Sequence, residues 1–253
     1  MNQPQKQLKI ILIGDTCIDE YQYGIVDRIN PEAPVPLFTP KYTDIKYGMG
    51  SNVKENLITL GLTVSSFLGE PSKKKRLIDL KSKQQVIRID DDVKSNSCNL
   101  AYILQFIDNI EAIVISDYSK GFITEEFIKD IRQNYNGLIF VDTKKHDLKL
   151  FEGCIVKINE TEYHNRISEC SNLIVTRGSN SVLYNNKTFN VPKVNTFDVC
   201  GAGDTFLAAL TYGYLTTNDM EHAICFAIKA SAITVQHIGT YAPTLEEINE
   251  SNR

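Results

Sequence analysis

Short apolar runs alternate with longer amphipathic ones along most of the chain. Residues 8–13 form a nearly continuous apolar run, the pattern of a strand buried on both faces of a parallel sheet. Thr63–Leu68 predicts a second strand. From Asn99 the alternation becomes regular: a helix over 99–109 precedes a strand at 112–116, and a helix over 124–134 precedes one at 138–141. Strands at 155–157 and 173–175 follow. A hairpin pairs 182–184 with 188–191 over Asn185-Asn186, and helices over 205–215, 219–235 and 245–249 close the chain. This rhythm predicts an α/β fold with a mostly parallel central sheet and helices on both faces.

Polar residues recur just after the strands: Gly14-Asp15 with Asp19, Asp117–Gly121, Asp142–Lys144, Asn159–Glu162 and Thr176–Gly178. Open α/β sheets bind ligands at the carboxyl ends of their strands, so these positions predict a cleft along one sheet edge. Residues 21–47 break the rhythm. Pro31, Pro34, Pro36 and Pro40 interrupt alternating stretches, which confines such strands to an exposed sheet. The two runs at 76–80 and 84–89 read as a hairpin of that same small sheet. Between the two, Gly48–Asn52 opens a helix with Ser51 as the expected N-cap, Leu57 and Leu60 on its apolar stripe and Gly61 as its stop.

The stretch Asn195–Phe206 carries the strongest chemical signal. Gly201 and Gly203 flank Ala202, and an apolar helical run follows. A glycine turn at a helix start leaves N–H groups unpaired in front of the positive dipole end, which makes an anion site. Asp204 inside such a site fits a carboxylate that orients a hydroxyl for attack on a phosphoryl group. The dipole predicts a depressed Asp204 pKa. The same residues also fit a simple helix start with an acidic first turn.

Composition narrows the classes. The 253 residues carry 27 Lys and Arg against 31 Asp and Glu, a net charge of −4, so nothing points to nucleic acid or an anionic membrane. No apolar run approaches the ~18 residues of a membrane span, and Met1–Gln7 has no apolar signal core. The six cysteines are scattered without metal-site spacing, as in reduced intracellular thiols. The four histidines are isolated. Neither a Walker A nor a G-x-G-x-x-G pattern is present. A cytoplasmic protein is expected.

Asp198-Val-Cys-Gly-Ala-Gly-Asp-Thr205 resembles the C-terminal signature of the ribokinase-like (PfkB) carbohydrate kinases. Asp27–Pro36, Gln84–Asp90 and Ser116–Gly121 look like one branch, the heptose-7-phosphate kinase module of bifunctional heptose kinase/adenylyltransferases. The resemblance implies a ribokinase-like three-layer α/β/α domain over 1–253, with lid strands drawn from about 20–47 and 75–90. It implies Asp204 as catalytic base and the N–H groups of Gly201, Ala202 and Gly203 as anion hole. Asp19, Gly48, Gly50 and Asn52 match sugar-binding positions. Asn159 and Glu162 match the motif that acts on Mg²⁺, usually through water, and on the phosphates of ATP; Arg177 and Gly178 match the loop along the nucleotide. A sugar phosphate such as D-glycero-D-manno-heptose 7-phosphate is the implied acceptor, with Lys73, Lys74, Lys75, Arg76, Arg88 and Lys120 as candidates for its phosphate. A homodimer through the lid sheet is implied as well.

The chain departs from that pattern in several places. Met49 stands where the heptose kinases carry a second glycine, Cys200 where threonine is usual and Ile228 where an asparagine often stands. The strand–helix unit usual between Gly69 and Lys73 is missing, and no adenylyltransferase half is recognisable: His237-Ile-Gly-Thr240 lacks its second histidine. These departures keep two other readings in play, a kinase for another sugar or nucleoside and a catalytically weak sugar- or nucleotide-binding protein.

Overall fold

Two sheets divide the strands between them. The structure, a computed structural model, describes residues 7–250; all but the last residue of the N-terminal stretch read above for a signal core lie outside them. The chain begins β1 (Lys9–Gly14), β2 (Thr16–Ile29), β3 (Pro36–Met49), α1 (Gly50–Thr59), β4 (Thr63–Leu68), β5 (Ser72–Asp79), β6 (Gln85–Asp91) and α2 (Leu100–Ile103). It continues with β7 (Ala112–Asp117), α3 (Glu125–Asn134), β8 (Leu138–Thr143), β9 (Ile155–Asn159), α4 (Glu160–Asn165), β10 (Asn172–Thr176), β11 (Ser181–Tyr184) and β12 (Lys187–Asn190). The last helices are α5 (Ala202–Thr217), α6 (Met220–Thr234) and α7 (Leu245–Glu250).

The large sheet has the order β12-β11-β10-β9-β8-β7-β1-β4. Its six strands from β4 to β10 are parallel, and the β11–β12 hairpin adds antiparallel at one edge. The central strands β1, β7, β8 and β9 are mostly apolar up to their carboxyl ends because both faces are covered. Ile10 and Leu12 of β1 and Val114 of β7 pack with α1, α5, α6 and α7, whereas Ile11, Ile13, Ile113 and Ile115 pack with Phe127, Ile128 and Ile131 of α3. The small sheet has the order β3-β2-β5-β6, and the chain enters it from β4 through Gly69, Glu70 and Pro71 alone.

Most predicted elements are present, with longer strands in the small sheet than the proline pattern suggested. Asn185 and Asn186 both take positive φ (47° and 61°) in the β11–β12 turn, as a two-residue hairpin loop requires. Two expectations fail. The helix predicted over 99–109 is only α2 followed by a 3-10 turn, Leu104–Phe106; Tyr102 and Phe106 pack on Phe67 of β4, at ring-centroid distances of 5.6 and 5.4 Å, and the chain reverses at Asn109 (φ 61°). Ser51 is not the N-cap of α1. The helix starts two residues earlier behind Met49, which provides no side-chain cap, and the Ser51 hydroxyl meets the Thr16 hydroxyl at 2.5 Å instead.

Candidate active site

The carboxyl ends of β1, β7, β8 and β9 converge on the N-terminus of α5. Gly201 is the N-cap in the left-handed region (φ 78°), and a Cβ there would lie 2.6 Å from Asn52 Nδ2, so only glycine fits. The Gly201 and Gly203 N–H groups have no acceptor among the described residues, while the Ala202 N–H is turned to the Val199 carbonyl at 3.3 Å. The anion turn expected from three amides therefore offers those of Gly201 and Gly203.

Asp204 lies beside them, 3% exposed. One carboxylate oxygen accepts from Asn52 Nδ2 at 2.9 Å and the other from the Tyr118 hydroxyl at 2.8 Å. Asn52 is itself held by Asn56, whose Nδ2 donates to Asn52 Oδ1 at 3.2 Å. The depressed pKa expected from the dipole is reversed: burial pushes the Asp204 carboxyl up to about 6, against the lowering effect of its two hydrogen bonds. Loss of hydration outweighs the dipole because the carboxylate is almost wholly desolvated.

The loop after β7 is fixed from below. Asp15 Oδ2 accepts the Tyr118 and Lys120 N–H groups at 2.7 and 3.2 Å, and burial raises the Asp15 pKa. Lys144, after β8, sits 5.4 Å from the Tyr118 ring centroid and bonds Glu162. Asn159 and Glu162 form a capping box at the start of α4: the Asn159 Oδ1 accepts the Glu162 N–H at 2.9 Å and Glu162 Oε2 accepts the Asn159 N–H at 2.7 Å. Asp142 of β8 and Lys157 of β9 make a buried pair at 2.6 Å.

The inner face of the small sheet closes the other side. Asp19, 2% exposed, bonds Arg76, whose guanidinium lies 5.0 Å from the Tyr21 ring centroid. Lys46 of β3 and Lys74 of β5 are the direct cross-strand partners of Asp19. A Cβ at Gly48 would lie 2.6 Å from Asp19 Oδ2 on the neighbouring strand and one at Gly50 2.8 Å from the Asp15 carbonyl, so Gly48 allows close approach within the small sheet and Gly50 lets α1 start against the β1–β2 junction. Met49 between them has φ 56° and ψ −134°, a backbone position that favours glycine.

Behind the glycine turn runs a cavity of about 600 Å³. Gly178, Val194, Phe206, Ile228 and Val235 line it together with Ala202 and Gly203 of the glycine turn. Arg177 is directed to Glu160, Nε to Oε1 at 3.4 Å. An apolar slot that ends at unpaired amides suits a planar base with a polyphosphate tail.

The profile of the pfkB family of carbohydrate kinases matches residues 49–248. The chain belongs to that family. It is 29% identical over 302 aligned positions to the bifunctional protein HldE of Nitratiruptor, and 28% identical over 303 positions to that of Helicobacter acinonychis. These alignments use 97% and 95% of the chain but 65% of each relative, so the chain spans just under two thirds of their length. Both alignments are longer than the 253-residue chain itself, so the relatives carry internal sequence that is absent here, in line with the short passage from β4 to β5. Ribokinase of Thermotoga maritima has the same fold at 17% identity, with a TM-score of 0.69 over 96% of this chain and 98% of that one. The Arabidopsis thaliana ribokinase solved with ribose and ATP gives 0.70 at 15% identity over the same shares. The ribokinase fold and a sugar kinase follow.

Within this kinase, Asn52, Gly201, Gly203 and Asp204 come together as the sequence suggested; Asp19 and Gly48 lie on the small sheet and Gly50 starts α1. Gly178 lines the cavity, but Arg177 pairs outward with Glu160. Asn159 and Glu162 sit at the cleft with their hydrogen bonds spent on each other and on Lys144. Of the six basic candidates, Lys75, Arg76, Arg88 and Lys120 are paired with Glu20, Asp19, Asp90 and Asp92. Tyr118, Asp142 and Lys144 lie at strand-end positions expected to form the cleft, though without a role assigned to them, and Lys157 was missed. The one signal for Lys157 was a lysine inside the otherwise apolar run 155–158; Tyr118 lay within the quoted segment 116–121 with nothing to show its reach to Asp204.

Proposed function

We propose that this kinase transfers the γ-phosphoryl group of Mg²⁺-bound ATP to a hydroxyl of a sugar phosphate, D-glycero-D-manno-heptose 7-phosphate in the leading case. The observation that carries it is a buried carboxylate, Asp204, held by Asn52 and Tyr118 beside two unpaired amides at a helix start. The acceptor hydroxyl donates to Asp204, its oxygen forms a bond to the γ-phosphorus, and the bond to the β,γ-bridging oxygen breaks with its electrons leaving on ADP. Asp204 takes the hydroxyl proton late in a loose transition state, where orientation matters more than base strength. The Gly201 and Gly203 amides meet the charge gathering on the transferred group.

Among the described residues no cluster of His, Cys, Asp or Glu could cage a metal. Glu162 and Asn159 nevertheless suit Mg²⁺, which keeps several waters and takes phosphate oxygens directly. They would hold its waters, and the ion would neutralise the phosphates. The 600 Å³ slot takes the nucleotide base. The small sheet is the lid and excludes water, the competing acceptor. Lys74 beside Asp19 is the inward cation best placed for the substrate's phosphate, since Lys46 on the other side of Asp19 donates to the Ile238 carbonyl at 2.7 Å. The two sheets together make one kinase domain working in the cytoplasm.

The homodimer reading rests on the lid's outer face, where Ile45 and Tyr47 of β3 share a side with Ile87 and Ile89 of β6 and all four are about half exposed or more. These apolar side chains on the two edge strands, with the Glu20–Lys75 pair between them on the same face, make that face an interface candidate. The double variant Ile45→Glu, Ile89→Glu is expected to sediment as a monomer, and a wild-type chain already monomeric at high concentration would end this reading.

The strain at Met49 favours one second reading, a different sugar or a nucleoside. ADP release from Mg·ATP over a panel of sugars, sugar phosphates and nucleosides tests both. Turnover confined to heptose 7-phosphate supports the first, turnover on another acceptor moves the substrate, and nucleotide binding without any turnover leaves a binding protein.

A further inference from the structure

Gly203 is crowded from beneath. A Cβ there would lie 3.0 Å from Lys157 Nζ and 3.9 Å from Asp142 Oδ2, so a buried ammonium stands directly against the glycine turn. Lys157 and Asp142 are 4% and 5% exposed, and the two are joined at 2.6 Å. The pair comes from neighbouring strands: Asp142 and Lys157 are register partners between β8 and β9. Asp142 Oδ1 is buried without a hydrogen-bond partner among the described residues. A buried ion pair with an unused acceptor contributes little net stability and is often replaced by apolar residues without loss, so packing alone does not account for it. Gly203 also lines the cavity behind the turn and precedes Asp204 in the chain, so a polyphosphate reaching from that cavity toward Asp204 would pass it.

We propose that Lys157 is a further catalytic residue whose ammonium contacts the transferred phosphoryl group through the opening that Gly203 leaves, with Asp142 as the positioning residue that aims it. The assignment rests on the phosphotransfer reading above. The amides of Gly201 and Gly203 carry partial charges, and one full positive charge next to them supplements these as negative charge spreads over the equatorial oxygens. Lys157 neither gains nor loses a proton in the step. The new bond is from the acceptor oxygen to phosphorus, the broken one is phosphorus to the ADP oxygen, and the acceptor proton goes to Asp204. Gly203 is then required for access as well as for the turn.

The test uses the full chain with Lys157→Met, and with Lys157→Met combined with Asp142→Leu, so that one variant leaves no unpaired buried carboxylate. Thermal unfolding, ADP affinity, affinity for ADP with aluminium fluoride and turnover are read together. The double variant is expected to melt near the wild type and to bind ADP within about threefold. It should lose roughly 100-fold in turnover and in aluminium fluoride affinity, as when one stabilising donor is removed from an oxyanion site. A double variant that melts like the wild type and keeps its turnover and fluoride complex overturns the assignment, as does a single variant whose losses follow only its unfolded fraction. Should the wild-type chain phosphorylate nothing, the kinase reading fails by itself, and loss of the fluoride complex in the variants still decides whether Lys157 meets a phosphoryl mimic.

Discussion

The cleft at the strand ends and the lid carry similar charges but hold them differently. In the cleft, each acid is met from a separate element: Asp204 by Asn52 and Tyr118, Asp142 by Lys157, Glu162 by Lys144, and Asp117 by Lys145 and Thr143. These groups are mostly buried, so every bond fixes a position as well as a charge. In the lid, Lys75–Glu20 and Arg88–Asp90 lie along the sheet with side chains about one third or more exposed, and such pairs add little stability. Apolar side chains point outward from the same sheet. The cleft is organised before any ligand arrives; the small sheet holds its exposed pairs on its surface.

The largest effect expected from this contrast is at Asp204. Asp204→Asn keeps the shape and one acceptor for Asn52, and removes the group that orients and receives the proton. Turnover should fall roughly 10²–10⁴-fold while ADP binding, measured by calorimetry, stays within a few-fold. Unchanged turnover would remove Asp204 from the base role and with it the idea that the cleft is ready for chemistry.

A smaller effect is expected inside the small sheet. Gly48→Ala places a Cβ 2.6 Å from Asp19 Oδ2 and 2.7 Å from Cys17 Sγ, which must push Asp19 away from Arg76. The lid would lose its acceptor-facing geometry and the cleft would keep its own. The acceptor KM should rise about tenfold or more with kcat changed less, the split expected when ground-state binding is lost. A fall in kcat at constant KM would mean that the lid residue acts on the chemical step.

The same contrast explains what the sequence disclosed. The large sheet was legible because its strands are apolar runs set between helices, and residues such as Ile10 to Ile13 leave few alternatives to a doubly covered strand. The glycine turn was legible because Gly-x-Gly before an apolar helix has a backbone meaning. The lid strands were seen too short, since proline counts mark edges and not the full length of a ribbon whose pairing is decided by its neighbours. The Ser51 cap failed because Met49 accepts a glycine-like backbone to start α1 earlier, which propensity argues against. The Asp204 pKa failed because desolvation depends on what covers the carboxyl, and Tyr118 is distant from it in sequence. Lys157 and Asp142 were invisible as a pair because only the order of β8 and β9 makes them neighbours.

Tyr118 offers the smallest and most specific effect. Its hydroxyl donates to Asp204, which stabilises the ionised carboxylate and lowers a pKa that burial has raised to about 6. Tyr118→Phe removes that donor and leaves the ring beneath Lys144, so the carboxyl should become harder to ionise. Asp204 must be ionised to accept the proton, so kcat/KM should rise with pH through a midpoint near 6 in the wild type. The midpoint should move to higher pH in the variant, with a loss of a few-fold at pH 8, where both carboxyls are ionised and only orientation is impaired. The sign distinguishes two roles. A Tyr118 that merely filled space would leave the midpoint in place, and one that acted as a proton donor to the reaction would instead move the alkaline side of the profile. Measured from pH 5 to 8.5, an unmoved acid limb would show that Asp204 is held in its working state by Asn52 and the helix start alone.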